Sequence, residues 1–147
     1  MSRTFYVLNG PNLNLLGVRE PQLYGSTTLA EVEQLCERVA QELGYASEFR
    51  QTNHEGVMVD WVQEAREKAD AVVINPAGLS FRSIPLLDAL KTLDQPIAEV
   101  HITNIHRRDA LYQHSLVSLA ATGVICGFGP FGYEMALRAL AQRLTPG

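Results

Sequence analysis

The chain has 147 residues, 46% of them hydrophobic, and a formal net charge of −4. That length fits one domain, expected as a single catalytic domain over residues 1–147, with enough chain to bury a sizeable core. The acid excess leaves no broad basic face for nucleic acid, and no apolar stretch is long enough to span a membrane.

The elements alternate along the chain. Phe5-Tyr6-Val7-Leu8 is a compact strand, followed by a long loop from Asn9 to Thr27. Leu29, Val32, Leu35, Val39 and Leu43 have helical spacing, so a helix is expected from Thr28 to Leu43. Thr28 and Glu31 form its capping box, and Gly44 stops it. Tyr45 to Gln51 is a weaker strand, Val57 to Lys68 a helix and Ala71-Val72-Val73-Ile74 a buried strand. Ile84 to Thr92 is a helix with Pro85 in its first turn, where the missing N–H costs little. Ile97 to Ile102 and Gly123 to Cys126 are strands, and Tyr133 to Leu144 is the last helix before a fraying tail, Thr145-Pro146-Gly147. Residues 103–122 read as a loop and then a helix from about His114 to Ala121. Five strands alternating with helices imply parallel βαβ units, too few for a closed eight-stranded barrel. An open, doubly wound α/β sheet of flavodoxin-like order is expected, with its site beyond the carboxyl ends of the strands.

Minor features point to nothing further. His106-Arg107-Arg108 is short, is closed by Asp109 and reads as a solvated loop or interface. Cys36 and Cys126 lack metal-binding spacing and read as small buried hydrophobes. The N-terminus shows no signal-peptide pattern, so a cytoplasmic location is expected. Gly127-Phe128-Gly129-Pro130-Phe131-Gly132 matches a dinucleotide fingerprint, but no further strand follows to supply the acidic residue. It reads as a tight turn before the last helix. His54, His106 and His114 read as structural or interface groups, and Trp61 as packing.

Three strand ends carry groups capable of chemistry. Asn9 to Asn14 follows the first strand, Asn75-Pro76-Ala77-Gly78 the third, and Glu99-Val100-His101-Ile102-Thr103-Asn104 ends the fourth. Asn and Gly also serve turns, so any one of them is ambiguous; their convergence on one edge is what favours a site. Glu99, His101 and Thr103 alternate and share a face, and a carboxylate beside an imidazole suits a general acid. The competing reading of His101 is a core histidine satisfied by a backbone group. In the long loop, Arg19 precedes Tyr24 by five positions. A tyrosine with a pKa near ~10 is a poor base at neutral pH. A guanidinium about 4 Å away favours the phenolate by several kcal/mol at an effective dielectric of ~20. The alternative is a surface arginine and a packing tyrosine.

Several segments together carry a family signature. Leu8-Asn9-Gly10-Pro11-Asn12-Leu13-Asn14-Leu15-Leu16-Gly17, Arg19-Glu20-Pro21, Tyr24-Gly25 and Asn53-His54-Glu55-Gly56 are joined by Asn75-Pro76, Asp88-Ala89, Glu99-Val100-His101 and Gly132-Tyr133. The chain resembles the type II 3-dehydroquinate dehydratases over nearly its whole length. The resemblance implies a flavodoxin-like lyase acting on a small molecule in the shikimate pathway or in quinate catabolism. It implies no metal or cofactor, and a homo-oligomer, a dodecamer built from trimers. By position, Tyr24 takes a proton from C2, Arg19 holds it as phenolate, and Asn12 stabilises the enolate through a water. His101, steadied by Glu99, protonates the departing C1 hydroxyl. The backbone N–H groups of Ile102 and Thr103, with the Thr103 hydroxyl, hold the substrate carboxylate. Asn75 binds substrate, and Asp88 reaches a neighbouring subunit's site.

Two positions depart from the pattern. Phe81 stands where the family has a histidine, and Tyr112 where it has an arginine; both missing groups read the C4 and C5 hydroxyls. Arg82, Arg108 and the Tyr112 hydroxyl are the candidates to replace them, so Phe81, Arg82 and Tyr112 join the expected substrate-binding residues. Three readings remain open at this point: a dehydroquinate dehydratase with a repacked diol pocket, a related dehydratase whose ring lacks a hydroxyl, or a non-catalytic or nucleotide-binding member of the fold.

Overall fold

The computed structural model describes residues 3–145. Its strands are β1 (Thr4–Asn9), β2 (Ala46–Gln51), β3 (Ala71–Asn75), β4 (Ile97–His101) and β5 (Gly123–Cys126). Its helices are α1 (Pro21–Tyr24), α2 (Leu29–Glu42), α3 (Glu55–Lys68), α4 (Ile84–Leu90) and α5 (Phe131–Leu144). All strand pairs are parallel, in the order β2-β1-β3-β4-β5. That is the flavodoxin-like order, and its reversal between β1 and β3 opens a crevice at the carboxyl ends.

Strand alternation divides the core into two layers. Phe5, Val7, Ala71, Val73, Ala98 and Val100 pack against α2 and α5. Tyr6, Leu8, Val72, Ile74 and Ile97 pack against α3 and α4. Burial on both faces explains why β1 and β3 read as unbroken apolar runs, whereas edge strand β2 is half-exposed and polar. The Thr28–Glu31 capping box forms as expected. No helix among the described residues is long and apolar enough to cross a membrane.

At the crevice the backbones nearly touch. The Gly10 N–H donates to Asn75 O at 2.8 Å, and a β-carbon on Gly10 would lie 2.3 Å from Pro76 O. Only glycine fits there. Just beneath, the buried Tyr133 hydroxyl of α5 donates to Asn9 Oδ1 at 2.7 Å and accepts from Asn75 Nδ2 at 2.9 Å. One phenol thus ties both strand ends to the last helix.

The expected helix over His114–Ala121 does not form. Residues 103–122 instead make three short 3-10 turns, Ile105–Arg107, Ala110–Tyr112 and Leu116–Leu119. Tertiary demands override local propensity there. Val117 must bury completely, Ser118 reaches back to Glu99, and Thr122 Oγ1 accepts from Ile97 N. The long loop after β1 contains α1 and the 3-10 turn Leu13–Leu15. Cys36 is buried, which pushes its thiol up to about 12, while Cys126 is half-buried rather than part of the core. Of the expected fraying tail, Pro146 and Gly147 lie outside the described residues; Thr145 caps α5.

Replacing Tyr133 with Phe strands two buried amides at the crevice. Each unmet polar group costs roughly 1–3 kcal/mol, so a loss of about 2 kcal/mol or more is expected by denaturant unfolding. An unchanged midpoint would mean that the network contributes nothing.

Candidate active site

A cavity of about 200 Å³ opens over the carboxyl ends of β1, β3 and β4. Asn12, Arg19, Tyr24, Asn75, Phe81, His101, Ile102, Thr103 and Tyr112, all singled out from the sequence, line it. Arg108 lines it too, so the third residue of the basic run turns inward, while His106 and Arg107 stay exposed. Three expected residues lie outside the lining: Glu99, which is fully buried, Arg82 and Asp88. Arg82, which caps the 3-10 turn Ala77–Phe81, is exposed and does not line the cavity, while Asp88 is exposed on α4. Within one subunit, neither completes the site.

The floor comes from β4. Glu99 has no exposed surface and His101 is 5% exposed. Glu99 Oε2 bonds the His101 Nε2, and Glu99 Oε1 accepts from Ser118 Oγ at 2.7 Å. Burial pushes the Glu99 carboxyl up, yet the hydrogen bonds from His101 and Ser118 outweigh it, leaving it below the ordinary 4.5. Because folding lowers this pKa, the pair stabilises the fold above the ordinary carboxylate range, and that contribution fades as pH falls through the native value. The pair therefore matches the alternation expected of the strand. His101 Nδ1 has no protein partner among the described residues, leaving it available to a ligand.

Beside it, Asn75 is held on both sides. Its Nδ2 donates to Tyr133 and its Oδ1 accepts from Ala77 N at 3.2 Å, which fixes the amide and leaves one N–H unused. Ala77 adopts φ 50, a left-handed conformation unusual outside glycine. The turn after β5 braces the carboxyl end of β4 from behind: Gly127 and Gly129 N–H groups donate to His101 O at 3.2 Å and Ile102 O at 3.0 Å. The fingerprint-like glycines therefore serve as a turn, as expected, with the helix beginning at Phe131.

The lid supplies the opposite wall. Asn12 is also left-handed, at φ 70, with its N–H held by Asn53 Oδ1 at 2.9 Å. Gln51 Nε2 in turn donates to Asn53 Oδ1 and Gly10 O, both at 3.1 Å. Helix α1 turns Tyr24 inward. The Arg19 guanidinium lies 5.2 Å from the Tyr24 ring centroid, over its face, and pairs with Glu20 at 3.4 Å. That exposed pair shares the charge of Arg19 with a carboxylate. Arg108 adds a second cation, 5.8 Å from the Tyr24 centroid and 4.2 Å from that of Tyr112.

Three positioning residues went unassigned in the sequence. Asn53 and Tyr133 sit inside the family segments but carry no visible chemistry there, and Ser118 lies in the stretch misread as helix. The expected structural role of His54 is backbone only: its N–H donates to Thr52 Oγ1 at 3.0 Å while the side chain is exposed. Trp61 packs as expected, half-buried under Arg50. Among the described residues, no cluster of three or more His, Cys, Asp or Glu is arranged to hold a metal.

Comparison with known proteins agrees with this geometry. A family model described as Dehydroquinase class II matches residues 3–141. A 3-dehydroquinate dehydratase 1 from Agrobacterium fabrum is 55% identical, over 95% of this chain and 97% of the relative. A 3-dehydroquinate dehydratase 2 from Pseudomonas aeruginosa is 52% identical, over 97% of each chain. Among solved structures, the type II dehydroquinase from Propionibacterium acnes superposes with a TM-score of 0.93 at 46% identity, covering 97% of this chain and 98% of that one. A 3-dehydroquinate dehydratase-like protein from Bifidobacterium longum superposes less closely, with a TM-score of 0.73 at 33% identity, covering 98% and 99%. With a model match over nearly every residue and half the sequence shared with these relatives, the chain belongs to the class II dehydroquinase family.

Proposed function

We propose that this chain is a hydro-lyase converting 3-dehydroquinate to 3-dehydroshikimate, with the whole chain serving as one catalytic domain. The observation that carries the reading is one cavity bearing a tyrosine with two guanidinium groups near its ring and a histidine backed by a buried carboxylate.

The reaction divides between these two ends. The Tyr24 phenolate takes the C2 proton, and the C–H electron pair moves into the ring to leave an enolate at the C3 oxygen. Arg19 and Arg108 stabilise the phenolate before transfer. Asn12, on its fixed left-handed turn, holds the water that donates to the enolate oxygen. Donors set in advance where charge appears contribute most to such a step. The enolate then collapses to a C1=C2 double bond. The C1–O bond breaks, and His101 protonates the leaving oxygen, which departs as water. Glu99 balances the charge of the imidazolium. Backbone N–H groups at Ile102 and Thr103, with the Thr103 hydroxyl, hold the carboxylate, and Asn75 supplies its free N–H. Oxidation states are unchanged, so no redox cofactor enters the balance. An imine route has no local nucleophile, since neither lysine of the chain, Lys68 or Lys91, lines the cavity.

Assembly belongs to the same proposal. Leu119, Phe128 and Phe131 are 72%, 65% and 56% exposed, and a shallow apolar groove of about 420 Å³ runs between β5 and α5. An exposed apolar groove is the kind of surface that marks an interaction site. In a trimer-based dodecamer, exposed Asp88 serves a neighbouring subunit's cavity.

Replacing Tyr24 with Phe should lower kcat by 10²–10⁴-fold, read from enone absorbance, with the thermal midpoint preserved. Activity within tenfold of the parent would remove Tyr24 as the base. Sedimentation should find twelve 16.2 kDa chains in one particle; a monomer would remove both the assembly and the role of Asp88.

A further inference from the structure

Side chains follow one another round the cavity from acid to base. The His101 and Phe81 ring centroids are 6.4 Å apart, and Phe81 meets Tyr112 edge-on at 5.4 Å and 82°. Arg108 then lies 4.2 Å from the Tyr112 centroid and 5.8 Å from that of Tyr24. All five side chains line the same space.

This order fixes what each wall can read, provided that the dehydration proposed above is right. A six-membered ring with its C1 hydroxyl at His101 and its C2 hydrogen at Tyr24 must present its other atoms to the arc in sequence. C6 and C5 fall against Phe81, and C4 falls toward Tyr112 and Arg108. Phe81 neither donates nor accepts a hydrogen bond, and its edge-on contact with Tyr112 holds its ring in place. A C5 hydroxyl turned against it loses water and gains no hydrogen bond from that wall. The next wall differs in kind. The Tyr112 hydroxyl and Arg108 guanidinium have no hydrogen-bond partner among the described residues; Arg108 is anchored through its carbonyl, which accepts from Gln113 Nε2 at 2.6 Å.

We infer that Phe81 is a specificity-determining residue that accepts a methylene at C5, while Tyr112 and Arg108 read an oxygen at C4. The substrate class is a cyclic β-hydroxyketone acid in which oxygen at C5 is dispensable and oxygen at C4 is not. An apolar wall rejects an added hydroxyl only weakly, whereas unpaired site donors reject its absence strongly.

The test compares kcat/KM of the purified full chain on 3-dehydroquinate and on its 5-deoxy and 4-deoxy analogues. The 5-deoxy compound should match or exceed 3-dehydroquinate by up to about tenfold, and the 4-deoxy compound should fall by about 10–100-fold. Phe81→His should move the ratio back toward the C5-hydroxylated substrate by about tenfold. A 5-deoxy analogue disfavoured tenfold or more, or a 4-deoxy analogue turned over without loss, overturns the inference while leaving the dehydration intact. No turnover of any of the three overturns the dehydration itself, and the inference with it.

Discussion

A carboxylate with no exposure to water needs a partner, and at the end of β4 Glu99 has two: the imidazole of His101 and the hydroxyl of Ser118. Removing either partner from a buried charge is costly, because the charge that remains is left uncompensated. The site is built round this pair. It fixes which ring nitrogen of His101 is engaged and which faces the cavity, and it holds the 103–122 segment in tight turns that bring Arg108 and Tyr112 to the same cavity.

The opposite wall depends on backbone geometry instead. Asn12 and Glu20 both take left-handed conformations in the lid, at φ 70 and φ 44. The first is held by Asn53, and the second turns the chain into α1, which aims Tyr24 inward. Strain of this kind persists only where surrounding contacts overdetermine it. Tyr24 and His101 are therefore placed by different means, a braced loop on one side and a strand end on the other. Tyr133 ties the root of that loop, Asn9, to Asn75 at the end of β3.

Much of this was legible in the sequence. Unbroken apolar runs and capped helical periods predict the doubly wound sheet, and the switch-point rule then places three polar strand ends on one edge. The Glu99–His101 pair follows from strand alternation alone. What escaped was tertiary. Nothing in the spacing of Ser118 reveals that its hydroxyl serves a carboxylate in β4, and a Leu-Val-Ser-Leu-Ala-Ala run reads as helix without that knowledge. Arg108 looks like part of a solvated basic run until the loop is folded. Arg82 and Asp88 show the reverse: their positions in the chain suggest a role, but within one subunit both face solvent.

The central claim is that Tyr24 and His101 work on one small ring from opposite sides of a single cavity. It is tested most directly by following the two C2 hydrogens of 3-dehydroquinate labelled stereospecifically with deuterium. A base fixed on one wall predicts complete loss of the label from one face, with a primary isotope effect, and complete retention on the other. Loss from both faces, or a label that leaves equally well in Tyr24→Phe, would contradict the account.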